Sequence, residues 1–293
     1  MKQSVTVAAV AATVETANPA ANLDMLAHHA RRAKAEGAEL VLFPELSLTG
    51  FLPNHPNGDH SVWLQTALRD AWKLAQTIDG EAVQGLCEIS RQTGAFVAAG
   101  FLERRGSLLH NTHVLAGEGR VWGYWRKMHI PLFEMQVFTG GGAPMVVDTP
   151  LGRIGANICF DAFLPESTRL LAVQQAELVL FPFAADPAPI SPDGWYAWAQ
   201  PILQARCAEN GVFGIACNLS GQASFAGVSQ AFPGGSALFG PDGKPLTALA
   251  SEVAIARLDR EALDAARAAF EFTFRFRRPE IYGGLACPAD EIS

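Results

Sequence analysis

The heptapeptide AELVLFP occurs twice, at Ala38–Pro44 and at Ala176–Pro182. A short apolar run closed by proline reads as a strand buried on both faces, and such strands belong to parallel sheets. Each copy follows an amphipathic stretch, and each of those follows another apolar run. Both therefore complete a strand–helix–strand unit. Seven identities in matching contexts indicate an internal pseudo-repeat rather than chance reuse of a good strand. The copies differ in what comes next: the first runs into Glu45, the second into Phe183. Functional groups of parallel sheets gather beyond the carboxyl ends of the strands. That rule puts Glu45, Cys159 and Phe183 on one rim.

The rest of the chain follows the same grammar. In the first half the pattern predicts a strand over Val5–Ala12, a helix over Asn22–Glu36 stopped by Gly37, and helices over Ser61–Ile78 and Glu81–Gln92. Strands follow at Ala95–Leu102, Leu108–Ala116 and Val121–Arg126. In the second half, strands are expected over Arg153–Phe160, Val212–Cys217, Ser236–Phe239 and Leu246–Arg257, with helices over Pro165–Gln175 and Gly194–Asn210. No linker or shift in composition divides residues 1–293, so one α/β domain is expected. With 49% apolar and 17% charged residues the chain has ample core and is not disordered.

Charge and cysteines narrow the class. A net charge of −7 without a basic cluster argues against nucleic acid or an anionic membrane as partner. No apolar run is long enough to span a bilayer. VTVAAVAATV has only Lys2 before it and reads as a first strand rather than a signal segment, so a cytoplasmic location is expected. Cys87, Cys159, Cys207, Cys217 and Cys287 are scattered and odd in number, as free thiols of a reducing compartment are.

Three residues sit in unusual places. Cys159, in GANICFDAFLPE, stands where a buried strand gives way to a turn. A thiol is mostly protonated at neutral pH, so a nucleophilic cysteine needs a nearby base or cation. Glu45 follows a buried strand among apolar residues, where an acid is expensive unless it is paired or functional. Burial would tune it for proton transfer. Lys127, in YWRKMHIP, ends a strand among aromatics and suits the stabilisation of an oxyanion or thiolate. Glu134, seven residues on, is a partner for it. His110, His113 and His129 lack the spacing of metal ligands, so no metal and no cofactor is expected.

Together these segments resemble the nitrilase, or carbon–nitrogen hydrolase, superfamily. FPELSLTGF is similar to its glutamate segment, YWRKMHIP to its lysine segment and ICFDAFLPESTRLLA to its cysteine segment. The likeness runs on through LQARCAENGVF, ACNLSG and RRPEIYGGL. It implies a four-layer α-β-β-α sandwich with two pseudosymmetric halves. It also implies roles: Cys159 as nucleophile, Glu45 as general base and acid, Lys127 with the Phe160 backbone N–H as oxyanion site, and Glu134 as a supporting carboxylate. A homodimer is implied as well, with the segment from about 270 to 293 as its arm.

Cys159-Phe160-Asp161 is similar to the amidase and carbamoylase branches, whereas true nitrilases show Cys-Trp-Glu. Carbamoyl-amino-acid hydrolases place arginines after the cysteine segment; this chain has Ala162 and Phe163. The resulting expectation is hydrolysis of a small linear amide through a thioester, with Phe183, Trp195 and Trp198 as apolar pocket walls. Alternatives are a carbamoyl amidohydrolase, in which Arg169 or Arg206 reaches the substrate, a nitrilase, acyl transfer to an amine, and a non-catalytic member of the fold. A Ser-Ser-Lys amidase finds only Gly234-Gly235-Ser236 as support. A synthetase-linked glutaminase lacks its nucleotide motif.

Overall fold

Both copies of AELVLFP become buried central strands with a parallel neighbour on each side. The computed structural model describes residues 1–53 and 60–287. The first half runs β1 (Ser4–Val10), α1 (Pro19–Ala35), β2 (Leu40–Leu42), α2 (His60–Leu74), α3 (Glu81–Thr93), β3 (Phe96–Arg105), β4 (Leu108–Gly117) and β5 (Arg120–Arg126). The second runs β6 (Val147–Thr149), β7 (Gly152–Ala156), α4 (Pro165–Val173), β8 (Leu178–Phe183), α5 (Pro192–Asn210) and β9 (Phe213–Asn218). It continues with β10 (Ser220–Phe225), β11 (Val228–Pro233), β12 (Ser236–Phe239), β13 (Val253–Asp259) and α6 (Arg260–Ala268).

One sheet has the order β13-β1-β2-β3-β4-β5 and the other β12-β9-β8-β7-β6. The halves correspond strand for strand. β1-β2-β3 and β7-β8-β9 are parallel triplets. Antiparallel β4 and β12 lie beside one end of each triplet, antiparallel β13 and β6 beside the other. Side chains alternate across each strand. Val41 and Phe43 pack outward on Leu26, Ala30, Leu86 and Ile89 of α1 and α3. Leu40 and Leu42 point the other way, into a core shared with Leu180 and Ile215 of the facing sheet. With α4 and α5 on the far side, the molecule is an α-β-β-α sandwich. Each such apolar side chain contributes about 1.5–3 kcal/mol when fully buried. This is why the repeat is apolar on both faces.

Several boundaries differ from expectation. α1 starts three residues early because the Asn18 side chain accepts the Ala21 N–H at 3.2 Å and Pro19 suits the first turn. The strand expected through Phe160 ends at Ala156, and Cys159 opens a short 3-10 turn. Of Leu246–Arg257 only the end, from Val253, pairs with β1; the hairpin β10–β11 was not anticipated. The alternating aromatics from Phe270 to Phe276 form no strand either. The tail coils into 3-10 turns, with Phe272 stacked on Phe274 and the Arg169 and Arg277 guanidiniums over the Phe274 ring. The last residues of the expected arm, 288–293, lie outside the described residues. Among the described residues no helix is long and apolar enough to cross a membrane.

Candidate active site

Glu45 stands on the turn that follows β2, and β3 holds that turn from below. Gly100 accepts the Leu48 N–H at 2.7 Å and donates its own to Ser47 Oγ at 3.3 Å. A Cβ on Gly100 would come within 2.3 Å of the Leu46 nitrogen, so only glycine allows this approach. The Glu45 carboxylate is fully buried and accepts three hydrogen bonds. Oε1 takes one from Asn111 Nδ2 at 2.6 Å and one from Lys127 Nζ at 2.8 Å; Oε2 takes the Ala184 N–H at 2.8 Å. Ala184 directly follows β8. The first copy of AELVLFP thus delivers an acid to the rim, and the second delivers the backbone donor that holds it.

Lys127 follows β5, its N–H donating to the Asn111 carbonyl at 2.8 Å. Its ammonium is fully buried and lies 2.8 and 3.0 Å from the two Glu134 oxygens. Burial disfavours the charge, but the carboxylates of Glu134 and Glu45 outweigh it and hold the lysine well above its ordinary pKa. One ammonium faces two carboxyl groups, and burial pushes Glu134 up against the pull of Lys127, with Glu45 adding to the rise.

Cys159 has φ +49°, a left-handed conformation that a side-chain-bearing residue adopts only when its surroundings impose it. Burial raises its thiol well above the usual value and Glu45 raises it further; Lys127 and the Ala184 N–H pull the other way. These surroundings favour the thiol form of Cys159, with Glu45 and Lys127 close enough to act on it electrostatically. The Arg206 guanidinium of α5 caps the far end of the turn, donating to the carbonyls of Ala162 and Phe163 at 2.9 and 3.0 Å. Asp161 holds the near end, accepting the Ile158 N–H at 3.1 Å.

Cys159 and Glu134 border a cavity of about 310 Å³ walled by Phe160, Phe163 and Trp198. Phe163 and Trp198 pack ring to ring at 4.6 Å. Phe183 and Trp195, expected as walls, lie one layer behind: both are buried in the core, their rings 5.8 Å apart. Phe183 lies on the same face of β8 as Phe181, turns toward Trp195 and Trp198 of α5, and leaves its successor's backbone to face the site. His129 Nδ1 lies 2.8 Å from Asp161 Oδ1, and this contact raises the histidine above its ordinary pKa against the effect of burial. His110 Nδ1 meets the Thr139 carbonyl at 2.9 Å. None of the five cysteines is paired.

Sequence reasoning passed over Asn111, Asp161 and Asn218. Asn218 exchanges two hydrogen bonds of 2.9 Å with the backbone of Ala185 and so fixes the chain next to Ala184. The signals were present in HNTH, CFD and ACNLSG. Attention there went to the histidines and to the branch, not to small polar residues at strand ends.

Comparison with known proteins identifies the family. The carbon–nitrogen hydrolase family matches residues 6–268. A citrullinase of Francisella tularensis is 28% identical over 90% of this chain and 92% of its own. A nitrilase of Pyrococcus abyssi is 32% identical over 66% of each. An amidase from Nesterenkonia sp. AN1, solved as a mutant with acrylamide joined to the active-site cysteine by Michael addition, superposes with a TM-score of 0.74. It is 25% identical, over 96% of this chain and 99% of that one. The chain is an enzyme acting on amides, and it belongs to the carbon–nitrogen hydrolase family.

Proposed function

We propose that the protein hydrolyses small neutral primary amides with an apolar acyl group to the acid and ammonia, through a thioester on Cys159. The observation that carries this reading is a buried, hydrogen-bonded Glu45–Lys127–Glu134 cluster whose charges act on Cys159, which with Glu134 borders an apolar-walled cavity. Glu45 takes the thiol proton as sulfur attacks the carbonyl carbon. The negative charge moves to oxygen, where the Lys127 ammonium and the Phe160 N–H stabilise it. Glu45 returns the proton to nitrogen, the C–N bond breaks, and ammonia leaves a thioester. Glu45 then takes a proton from water, hydroxide adds to the thioester, and collapse releases the acid and restores the thiol. Glu134 keeps Lys127 aimed and charged.

Charge around the cavity supports the choice of substrate. Arg206 is engaged with two backbone carbonyls and with Glu209 at 3.2 Å, and Arg169 donates to the Glu209 carbonyl at 2.9 Å. Neither borders the cavity, and the charged residues that do, among those described, are the acids Glu134 and Asp186. A substrate carboxylate buried there without a cation would lose several kcal/mol.

The test compares kcat/KM for a simple aliphatic or aromatic amide with that for an N-carbamoyl amino acid of similar size. The amide should win; a tenfold advantage for the carbamoyl acid would overturn the substrate assignment. Cys159→Ala should be inactive but folded, and brief alkylation should label Cys159 ahead of the other thiols. Turnover by the alanine variant would end the thioester reading itself.

A further inference from the structure

Asp161 is buried, carries no role in the chemistry above, and accepts hydrogen bonds from two segments that belong to different halves of the sandwich. From the cysteine turn it takes the Ile158 N–H at 3.1 Å. From the segment after Lys127 it takes the Met128 N–H at 3.2 and 3.3 Å, the His129 N–H at 2.9 Å and His129 Nδ1 at 2.8 Å. One donor therefore lies immediately before the strained Cys159, and two lie immediately after Lys127.

We propose that Asp161 is a positioning residue, whose carboxylate sets the Lys127 ammonium against the Cys159 sulfur by gripping both backbones at once. The inference rests on the thioester reading, in which those two atoms must cooperate. Four donors on one acceptor-only group leave no place for a side chain that carries its own donor. Asparagine, nearly the same shape, turns an NH2 toward at least one of these N–H groups and releases a segment. A left-handed cysteine persists only while its neighbours over-determine it. Misplacing a catalytic group by about 1 Å costs on the order of 100-fold in rate. The Phe163 end of the turn is held separately by Arg206 of α5, the helix that also carries Trp198, so substrate binding should survive where the chemical step does not.

The experiment measures kcat and KM on a simple primary amide, together with the rate of Cys159 alkylation by iodoacetamide between about pH 6 and 10. Asp161→Asn should lower kcat by about 30-fold or more while KM moves less than about threefold. Its alkylation curve should shift to higher pH, because the thiolate has lost its cation. Asp161→Glu keeps the charge and should recover part of both effects; it carries the test if the asparagine variant does not fold. A purely structural role predicts a lower melting temperature with kcat and the alkylation curve unchanged, and that outcome overturns the proposal. If Asp161→Asn is silent while Cys159→Ala is dead, only this inference fails. If Cys159→Ala is active, the thioester reading fails with it.

Discussion

Lys127 is where the electrostatics of the site are most exposed to a single substitution. Among the described residues its ammonium is the one cation hydrogen-bonded to the carboxyl groups of Glu45 and Glu134. Lys127→Met should raise the barrier by about 3 kcal/mol or more, as the oxyanion loses its main support. It should also cost about 3–5 kcal/mol of stability, since removing one partner leaves buried charge uncompensated. The two effects separate by pH. Carboxyl groups without their cation have raised pKa values when folded, so the lost stability should return as pH falls and the acids take up protons. Melting curves at pH 8 and pH 5 check the sign: the variant should gain on wild type at the lower pH. Glu45, Lys127 and Cys159 were legible in the sequence because charge or sulfur at the end of a buried strand is conspicuous. Asn111 was not, since a neutral polar residue between histidines on a strand has many ordinary uses. Phe183 and Trp195 misled because aromatic character announces burial without saying which cavity, if any, the ring faces.

At the level of elements, the parallel strands were readable from their double-sided apolar runs, whereas β10 and β11 were hidden by a polar, half-exposed composition. β4 carries a feature of a different kind. His113 is fully buried in it, and burial holds the imidazole far below its ordinary 6.5, at about 3, against a slight upward pull from the Ala98 carbonyl. A depressed histidine favours the folded state fully above 6.5, and that contribution is lost as pH falls toward 3. Glu134 has the opposite sign, with its raised pKa favouring the fold at low pH and losing effect as pH rises. His113→Leu isolates the first term, because the side chain shares the strand face of Leu115, which packs into the core between the sheets. Urea midpoints followed from pH 7 to pH 5 should fall for the wild type relative to the variant. Parallel curves would mean that His113 finds a protonated state inside the fold.

For the whole molecule, the pseudo-repeat made the sandwich legible, but the outer surface was readable only as a hint in FEFTFRFRRPEIYGGLA. Phe270 and Leu285 are 83% and 74% exposed, and Phe276 and Ile281 are exposed beside them in sequence. Leu285 shares a surface cleft with Arg169 of α4, and the neighbouring Leu170 and Val173 on that helix are also exposed. Exposed apolar side chains gathered on the tail and on α4 are what an interface presents, because large apolar patches are rare on monomers. We propose that a second copy covers these side chains, packing tail and α4 against their own equivalents across a twofold axis, so that one interface covers the same groups on both protomers. A stable contact of this kind buries about 1,200–2,000 Å² in total. Sedimentation at micromolar concentration should give a particle of twice the 31.3 kDa chain mass. Phe270→Asp combined with Leu285→Asp should halve that mass while the fold survives, since neither side chain contributes to either core. A wild-type species that sediments as a single chain would reject the dimer, and it would leave the exposed aromatics of the tail to a different partner.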